Sequence, residues 1–149
     1  MTDVKRDWRM PVDKVHLGTR FGVKDDAHPN GHRGTDFNGL PAGTPVKAVC
    51  NGMKVVLNRS VKDSTVLGNV IVLQAGNKFF GYCHLQKPSG LKVGAIVDSG
   101  TIVGRLGNTG SASTGAHLHF TLSDTAEGVF SGNVFDGYEF LVAAIKEEK

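Results

Sequence analysis

The chain has 149 residues, of which 40% are hydrophobic and 21% are charged, proportions typical of a globular domain and not of a disordered chain. The net charge of +3 is an ordinary solubilising charge, and the sequence contains no run of about 18 apolar residues that could cross a membrane. We therefore expect neither nucleic acid nor a membrane as a partner. The 20 glycines favour many turns between short strands.

The start of the chain and its cysteines bear on the compartment. Residues 1–7 are polar and contain no apolar core of a signal peptide, which predicts a protein made in the cytoplasm and retained there unless another system releases it. Cys50 and Cys83 are too few for a disulfide framework or a cysteine-rich zinc site. We expect both to be reduced, buried strand residues.

In chain order, the pattern predicts one mainly β domain over residues 1–149, an antiparallel sandwich or barrel-like sheet with a short C-terminal helix. A polar loop at residues 24–31 contains His28, which is more typical of a solvated loop histidine than of a metal ligand. Asn51-Gly52 is a strong hairpin signal, and Asp136 is a candidate N-cap for a helix at residues 138–145. The predicted strands cover residues 18–23, 44–49, 53–57, 69–74, 78–84 and 100–106.

Two histidines, His117 and His119, alternate with apolar residues in a segment with the pattern of a strand. Residues i and i+2 of a strand point to the same face, with Cα atoms about 6.5–7 Å apart, so both imidazoles would reach one site while Leu118 enters the core. By itself this pair is equally compatible with a metal or catalytic site and with two surface histidines on a strand edge.

Upstream, His32 and Asp36 add further ligand types. In a straight strand they would lie about 13 Å apart, too far for one metal, so Gly34 would have to let the chain bend. With His119 they would supply two nitrogens and one oxygen, the donor set of a catalytic zinc site with a fourth position open to water. His84, predicted to share a strand face with Tyr82, and His117 would then remain, one to accept the water's proton and one to donate to the oxyanion. A half-buried structural histidine is the other interpretation of His84.

Over residues 17–122 the sequence resembles the M23 family of zinc metallopeptidases, the lysostaphin and LytM-like peptidoglycan endopeptidases. The segments that carry the resemblance occur in the family's order: Arg20-Phe21-Gly22, His32-Arg33-Gly34-Thr35-Asp36, Pro41-Ala42-Gly43-Thr44-Pro45-Val46, Gly68-Asn69, Tyr82-Cys83-His84-Leu85, Gly107-Asn108-Thr109-Gly110 and Gly115-Ala116-His117-Leu118-His119-Phe120. Thr121 and Ala116 depart from it, because many members have glutamate and proline at these positions.

The resemblance implies a complete set of functional residues. Zinc, one ion per chain and no other cofactor, would be held by His32, Asp36 and His119, and His84 and His117 would be the catalytic histidines. The implied fold is antiparallel β with a groove over the metal, and the implied substrate is a peptide bond of bacterial peptidoglycan. With no signal peptide, we expect a monomeric phage lysin that reaches the wall by holin-type release or on a phage particle.

Two other functions remain as alternatives. The same fold occurs as a non-catalytic LytM-type regulator of cell-wall amidases, although such regulators typically lack zinc ligands that this chain has. Gly52-Met53-Lys54 also has a weak likeness to the lysine of biotinyl or lipoyl carriers, for which an outward-facing strand lysine is the simpler interpretation. The mass of Lys54 would distinguish the carrier.

Overall fold

The computed structural model describes residues 5–149. Residues 1–4, part of the polar start on which the signal-peptide prediction rests, lie outside the described residues. The elements in chain order are β1 (Thr35–Phe37), β2 (Pro45–Lys47), β3 (Met53–Arg59), β4 (Asn69–Ala75), β5 (Lys78–Leu85), β6 (Ile96–Val97), β7 (Ile102–Arg105), β8 (Leu118–Ser123), α1 (Gly128–Ser131), β9 (Val134–Phe135) and α2 (Gly137–Glu147).

The strands form two antiparallel sheets. The larger sheet has the order β1-β8-β5-β4-β3-β6, with β9 paired to β8, and the smaller one pairs β2 with β7. Strand β8 lies second from the edge of the larger sheet, between β1 and β5. The predicted mainly β, antiparallel fold with a short C-terminal helix is confirmed.

The hydrophobic core lies on one face of the larger sheet. Strand β4 is apolar and buried on both faces, with Ile71 and Leu73 in the main core and Val70 and Val72 in a smaller cluster on the opposite face. The side chains of strand β8 also alternate between the two faces of the sheet, and Leu118, Phe120 and Leu122 enter the main core. His119 therefore faces the other side of the sheet, where the site is formed.

The Asn51-Gly52 turn is present, but the predicted hairpin is wrong. Gly52 has φ +70°, the left-handed conformation that such a turn needs. The two strands that it joins are nevertheless not partners, since β2 pairs with β7 whereas β3 pairs with β4 and β6. The longer pairing of β3 with the buried β4 outweighs a local hairpin with the three-residue β2.

The strand predicted at residues 18–23 is also wrong. Within the described residues this segment is a loop, and next to it Leu17 forms an isolated bridge to Phe37. The start of the loop bonds to Asp36 of β1 through Gly18 and Thr19. Its end bonds to His32, because the N–H of Gly22 donates to the His32 carbonyl and the N–H of His32 donates to the Val23 carbonyl. The glycine-bounded segment thus fixes the chain that leads into the site.

Both cysteines are free and buried, as predicted. Cys83 lies in β5, but Cys50 lies in the bend after β2 and not in a strand, so that part of the prediction is wrong. Burial raises the pKa of the Cys50 thiol to about 11 and that of Cys83 further. Both thiols are therefore protonated at neutral pH.

Helix α2 begins where the sequence predicted. The Asp136 carboxylate accepts a hydrogen bond of 3.0 Å from the N–H of Glu139, which confirms Asp136 as the N-cap, and Leu141 is fully buried against the sheet. Neither α1 nor α2, the helices of residues 5–149, has the length and apolar run that crossing a bilayer requires.

Candidate metal centre

The pairing of β1 with β8 brings two predicted ligands together. Asp36 is directly opposite His119 in this antiparallel register, and its Oδ1 lies 3.2 Å from His119 Nδ1. Thr35 and Phe37, the neighbours of Asp36 in β1, are buried, so the carboxylate points away from the main core. Two strands of one sheet therefore set the separation between these side chains.

His32 reaches the same point from the loop before β1, and Gly34 allows it to do so. Gly34 was predicted to let the chain bend, whereas in the structure it lets the backbone before β1 lie close to β8. A Cβ atom on Gly34 would lie 2.6 Å from the Phe120 carbonyl oxygen and 2.8 Å from two atoms of the His119 ring. Only a residue without a side chain lets the His32 segment lie this close to β8.

Three side-chain atoms meet at this point within hydrogen-bond distance of one another. His32 Nε2 lies 3.1 Å from His119 Nδ1 and 3.4 Å from Asp36 Oδ1, and the remaining side of the triangle is 3.2 Å. Two ligand atoms that each lie about 2.0–2.1 Å from a tetrahedrally coordinated zinc are about 3.3 Å apart. The triangle thus has the dimensions of one face of a zinc tetrahedron, and its nitrogen and oxygen donors suit that ion.

The charge state of two of the three groups, Asp36 and His119, suits a cation, whereas the neighbouring Asp36 carboxylate raises the pKa of His32 against the effect of its burial. Burial alone would raise the pKa of Asp36, but hydrogen bonds from His119 and His32 outweigh it and hold that pKa well below its usual range. Burial lowers the pKa of His119, against the opposing effect of Asp36. At neutral pH the centre therefore has an ionised carboxylate beside a neutral imidazole, which is the form that binds metal.

His117 lies just before β8 and not within it. An isolated bridge to Gly107 holds its backbone, and its Nδ1 lies 2.7 Å from the carbonyl oxygen of Gly115. A carbonyl only accepts hydrogen bonds, so Nδ1 carries the proton and Nε2 offers a lone pair. That Nε2 is 3.6 Å from Asp36 Oδ1, so the ring borders the metal centre.

His84 faces the same centre from β5, but for a reason that the sequence did not indicate. Tyr82, predicted to share its face, is fully buried in the main core, whereas the His84 ring centroid lies 4.8 Å from that of His117 and 5.8 Å from that of His119. The backbone of His84 has φ +62°. This left-handed residue interrupts the alternation of the strand, so the prediction of a shared face is wrong.

A groove of about 1030 Å³ lies over these side chains. Besides the five predicted site residues, its walls come mainly from four segments of the chain. These are the loop with Asp25 and His28, the turn with Val66 and Leu67, the turn with Ala112, and the α1 residues Val129 and Phe130. The groove is large enough for several residues of an extended peptide. The triangle of His32, Asp36 and His119 lies at its base.

The contact of His28 with a candidate ligand was not predicted from the sequence. Its ring centroid lies 4.3 Å from that of His32, and its Nδ1 lies 2.9 Å from an Asp25 carboxylate oxygen. His28 is therefore a half-buried residue packed on a candidate ligand, and not simply a solvated loop histidine. His28 follows Asp25 by three positions in the sequence, a short spacing within a polar loop that could have suggested this contact.

Comparison with known families agrees with the site. The model of peptidase family M23 matches residues 30–130, more than half of the chain and all five predicted site residues. The chain belongs to peptidase family M23. The mainly β fold is accordingly that of the lysostaphin and LytM-type domains, as predicted.

Three relatives show how far the likeness of this M23 chain extends. It is 40% identical over 121 residues to the peptidoglycan DD-endopeptidase ShyA of Vibrio cholerae serotype O1, which covers 76% of this chain but 26% of ShyA. The catalytic domain of the antimicrobial peptidase lysostaphin from Staphylococcus simulans superposes with a TM-score of 0.71 and 33% identity, covering 86% of this chain and 92% of that domain. A zinc-containing peptidase from Vibrio cholerae superposes with a TM-score of 0.68 and 31% identity, covering 79% of this chain and 36% of that chain.

One departure from the M23 pattern has a structural role here. Thr121 is buried, and its hydroxyl donates a hydrogen bond of 3.1 Å to the carbonyl of Arg33. Arg33 follows His32, so this bond ties the loop that carries a candidate ligand to β8. A threonine therefore replaces the family's common glutamate without leaving the loop unsupported.

Proposed function

We propose that this M23 domain is a zinc-dependent endopeptidase that hydrolyses peptide bonds in the stems or cross-bridges of bacterial peptidoglycan. The observation that carries the proposal is the triangle of His32, Asp36 and His119, with sides of 3.1–3.4 Å, at the base of a groove flanked by two further histidines. Its support from relatives is family membership and the likeness to ShyA and lysostaphin.

In this proposal His32, Asp36 and His119 hold one zinc ion per chain. Bound there, zinc would lower the pKa of a coordinated water toward about 7 and polarise the scissile carbonyl. The three side chains occupy one side of the centre, so the groove side stays open for water and substrate. One carboxylate and two neutral imidazoles give the site a charge of −1, which offsets part of the charge of the ion.

His117 and His84 do the proton chemistry in this proposal. His117 offers its Nε2 lone pair on the groove side, next to Asp36, and accepts a proton from the attacking water. His84 lies 4.8 Å from His117, between centroids, and completes the pair that flanks the scissile bond. In its neutral form each ring offers Nε2 as an acceptor, and the proton taken from water is passed on to the leaving amine.

The substrate class follows from the groove and the relatives. The groove of about 1030 Å³ has room for an extended peptide, and ShyA is a peptidoglycan DD-endopeptidase. The identity of 40% to ShyA makes a DD cross-link the first bond to test, with the glycine bridges of other walls as the comparison.

The test is digestion of purified peptidoglycan from several wall types, with the masses of the released fragments measured. We expect new peptide termini from one bond type, and none with Asp36→Asn, which keeps the side-chain size but removes the ligand charge. A zinc-free chain that releases no fragment but stimulates a cell-wall amidase would overturn the proposal and indicate the regulator. An unmodified mass at Lys54 is expected, because that residue is an exposed β3 residue.

The phage-lysin role stays a prediction. Its test is inducible expression with and without a holin-type membrane pore. Rapid lysis that needs both the pore and an intact Asp36 is the expected result, whereas no lysis with the pore present would contradict the role.

A further inference from the structure

His84 has an unusual backbone for a strand residue. Leu85 pairs with Asn69 and Tyr82 pairs with Ile71, so Cys83 and His84 together stand opposite the single residue Val70. This is a β-bulge, a feature that re-aims a side chain and is common beside active sites. With φ +62°, His84 is one of two non-glycine residues of residues 5–149 in the left-handed region, the other being Asp7. Such strain persists only where the surroundings enforce it.

Thr109 provides the contact that fixes the ring. His84 Nδ1 lies 2.7 Å from the Thr109 carbonyl oxygen. Since a carbonyl oxygen only accepts hydrogen bonds, Nδ1 must carry the proton, and the Nε2 of the neutral ring is then unprotonated. Burial lowers the pKa of His84 to about 4, partly offset by this bond, so the neutral ring is the form present near pH 7.

The Thr109 side chain in turn fixes its own carbonyl. Its hydroxyl donates to the Leu85 carbonyl at 2.7 Å and accepts from the N–H of Asn69 at 3.2 Å. The side-chain amide of Asn69 (Nδ2) also donates to the Leu85 carbonyl, at 3.0 Å. These bonds join Thr109 to β4 and β5 at the Asn69–Leu85 pair that adjoins the bulge. The hydroxyl of Thr109 thus holds the backbone next to His84, and its carbonyl holds the His84 ring.

The loop that carries Thr109 packs closely on the turn before β4. A Cβ atom on Gly68 would lie 2.5 Å from both the carbon and the oxygen of the Thr109 carbonyl, and one on Gly110 would lie 2.5 Å from the Gly68 nitrogen. The N–H of His84 also donates to the Leu67 carbonyl at 2.9 Å. The Thr109 carbonyl therefore has little room to move.

We propose that Thr109 is a positioning residue that holds His84 with Nδ1 protonated and with the Nε2 lone pair directed at the groove. This inference rests on the proposed function, and it gives His84 a defined part in it. In the resting domain His84 cannot donate a proton from Nε2 to an oxyanion, so it acts first as an acceptor. The attacking water gives one proton to His117 Nε2, as in the proposed function, while its other O–H donates a hydrogen bond to His84 Nε2. His117 then passes the proton to the leaving amine and returns to neutral.

The first test needs no catalytic activity. Nitrogen-15 NMR of the metal-free, histidine-labelled domain near pH 7, with His84→Asn to assign the signal, reports which ring nitrogen carries the proton. We expect Nδ1 protonated and Nε2 unprotonated. A ring protonated at Nε2, or an even mixture of the two forms, would overturn the inference. If the domain proves inactive, the proposed function fails while this readout still decides the tautomer.

The second test separates positioning from folding. Thr109→Val keeps the shape but removes the hydroxyl, and we expect kcat to fall about 10–100-fold, as for other outer-shell partners, with KM and zinc content unchanged and a mixed His84 tautomer. Thr109→Ser should restore both, and Thr101→Val, in the turn before β7, is the matched control. Full kcat with an unchanged tautomer in Thr109→Val, or an equal loss in Thr109→Ser, would contradict the role. If the valine variant does not fold, the tautomer of the serine variant still decides.

Discussion

Asp36 Oδ1 and His119 Nδ1 lie 3.2 Å apart because their residues are directly opposed in the β1–β8 pairing. Two of the three candidate ligands thus belong to a hydrogen-bonded sheet, which holds side chains more rigidly than loops do. The third ligand, His32, is held by backbone hydrogen bonds to Gly22 and Val23. The close contact of Gly34 with β8 lets His32 reach the other two ligands. The site is therefore largely formed before any metal binds.

Gly34→Ala should disrupt this arrangement. The added Cβ would meet the Phe120 carbonyl and the His119 ring at 2.6–2.8 Å, so either β1 separates from β8 or the ring moves. Overpacking of this kind costs about 1–3 kcal/mol in the free energy of unfolding, and zinc content should fall with it. Urea unfolding and elemental analysis measure the two effects.

Gly90→Ala is the control for this change, since Gly90 is exposed and a Cβ atom added to it would have no other atom within 4 Å. Equal stability and equal zinc content in the two variants would show that Gly34 is not needed for close approach.

Removal of the metal should destabilise the domain without unfolding it. The core residues Val46, Val49, Val55, Ile71, Leu73 and Leu118 are all fully buried and lie apart from the ligand triangle. A free metal concentration of 100 times the Kd adds about 2.7 kcal/mol to the free energy of unfolding. We expect the core to fold at room temperature without this contribution. EDTA should thus lower the Tm while the far-ultraviolet circular dichroism at 25 °C stays unchanged.

Asp36→Asn serves as the control for the chelation experiment, because a chain without the ligand charge should show little change on adding EDTA. Loss of the β-type spectrum of the native chain on chelation would contradict the expectation.

The sequence indicated which residues come together better than it indicated the geometry that joins them. The order of motifs singled out His32, Asp36, His117, His119 and His84, which all line one groove in the structure, because each proposed chemical role restricts the residue type. Non-local strand pairing was less predictable. Asn51-Gly52 has the local chemistry of a hairpin turn, yet β3 pairs with β4 instead of β2, since pairing depends on the apolar surface that distant strands bury.

Local strain and close contacts were the features that the sequence did not indicate. Alternation along β5 predicted a common face for Tyr82 and His84, and a single left-handed residue reverses that relationship. His28 was predicted to be solvated, but packing on His32 depends on a loop path that no periodic pattern describes. The sequence identifies the reactive groups, and the bulge and glycine contacts orient them.

The pH dependence of stability should report the burial of His84. Its pKa is about 4 in the folded chain, whereas an unfolded histidine titrates near pH 6.5, so the unfolded state binds the proton first as the pH falls. The contribution of His84 to the free energy of unfolding is therefore fully present above about pH 6.5 and declines toward about pH 4.

Urea unfolding of the metal-free domain at several pH values measures this contribution. His84→Asn, which tolerates the left-handed backbone, should show a shallower dependence on pH than the unaltered chain over this interval. An identical dependence in the two proteins would mean that the buried imidazole is not responsible.

The most direct test of the account is the zinc content of His119→Ala and His117→Ala, measured beside their rates of peptidoglycan hydrolysis. His119→Ala should lose the metal and the activity together, because one corner of the ligand triangle is gone. His117→Ala should keep one zinc per chain and lose turnover by about 10²–10⁴-fold or more, the usual effect of removing general acid–base assistance. A zinc-free His117→Ala protein beside a zinc-containing His119→Ala protein would contradict the assignment of ligand and catalyst.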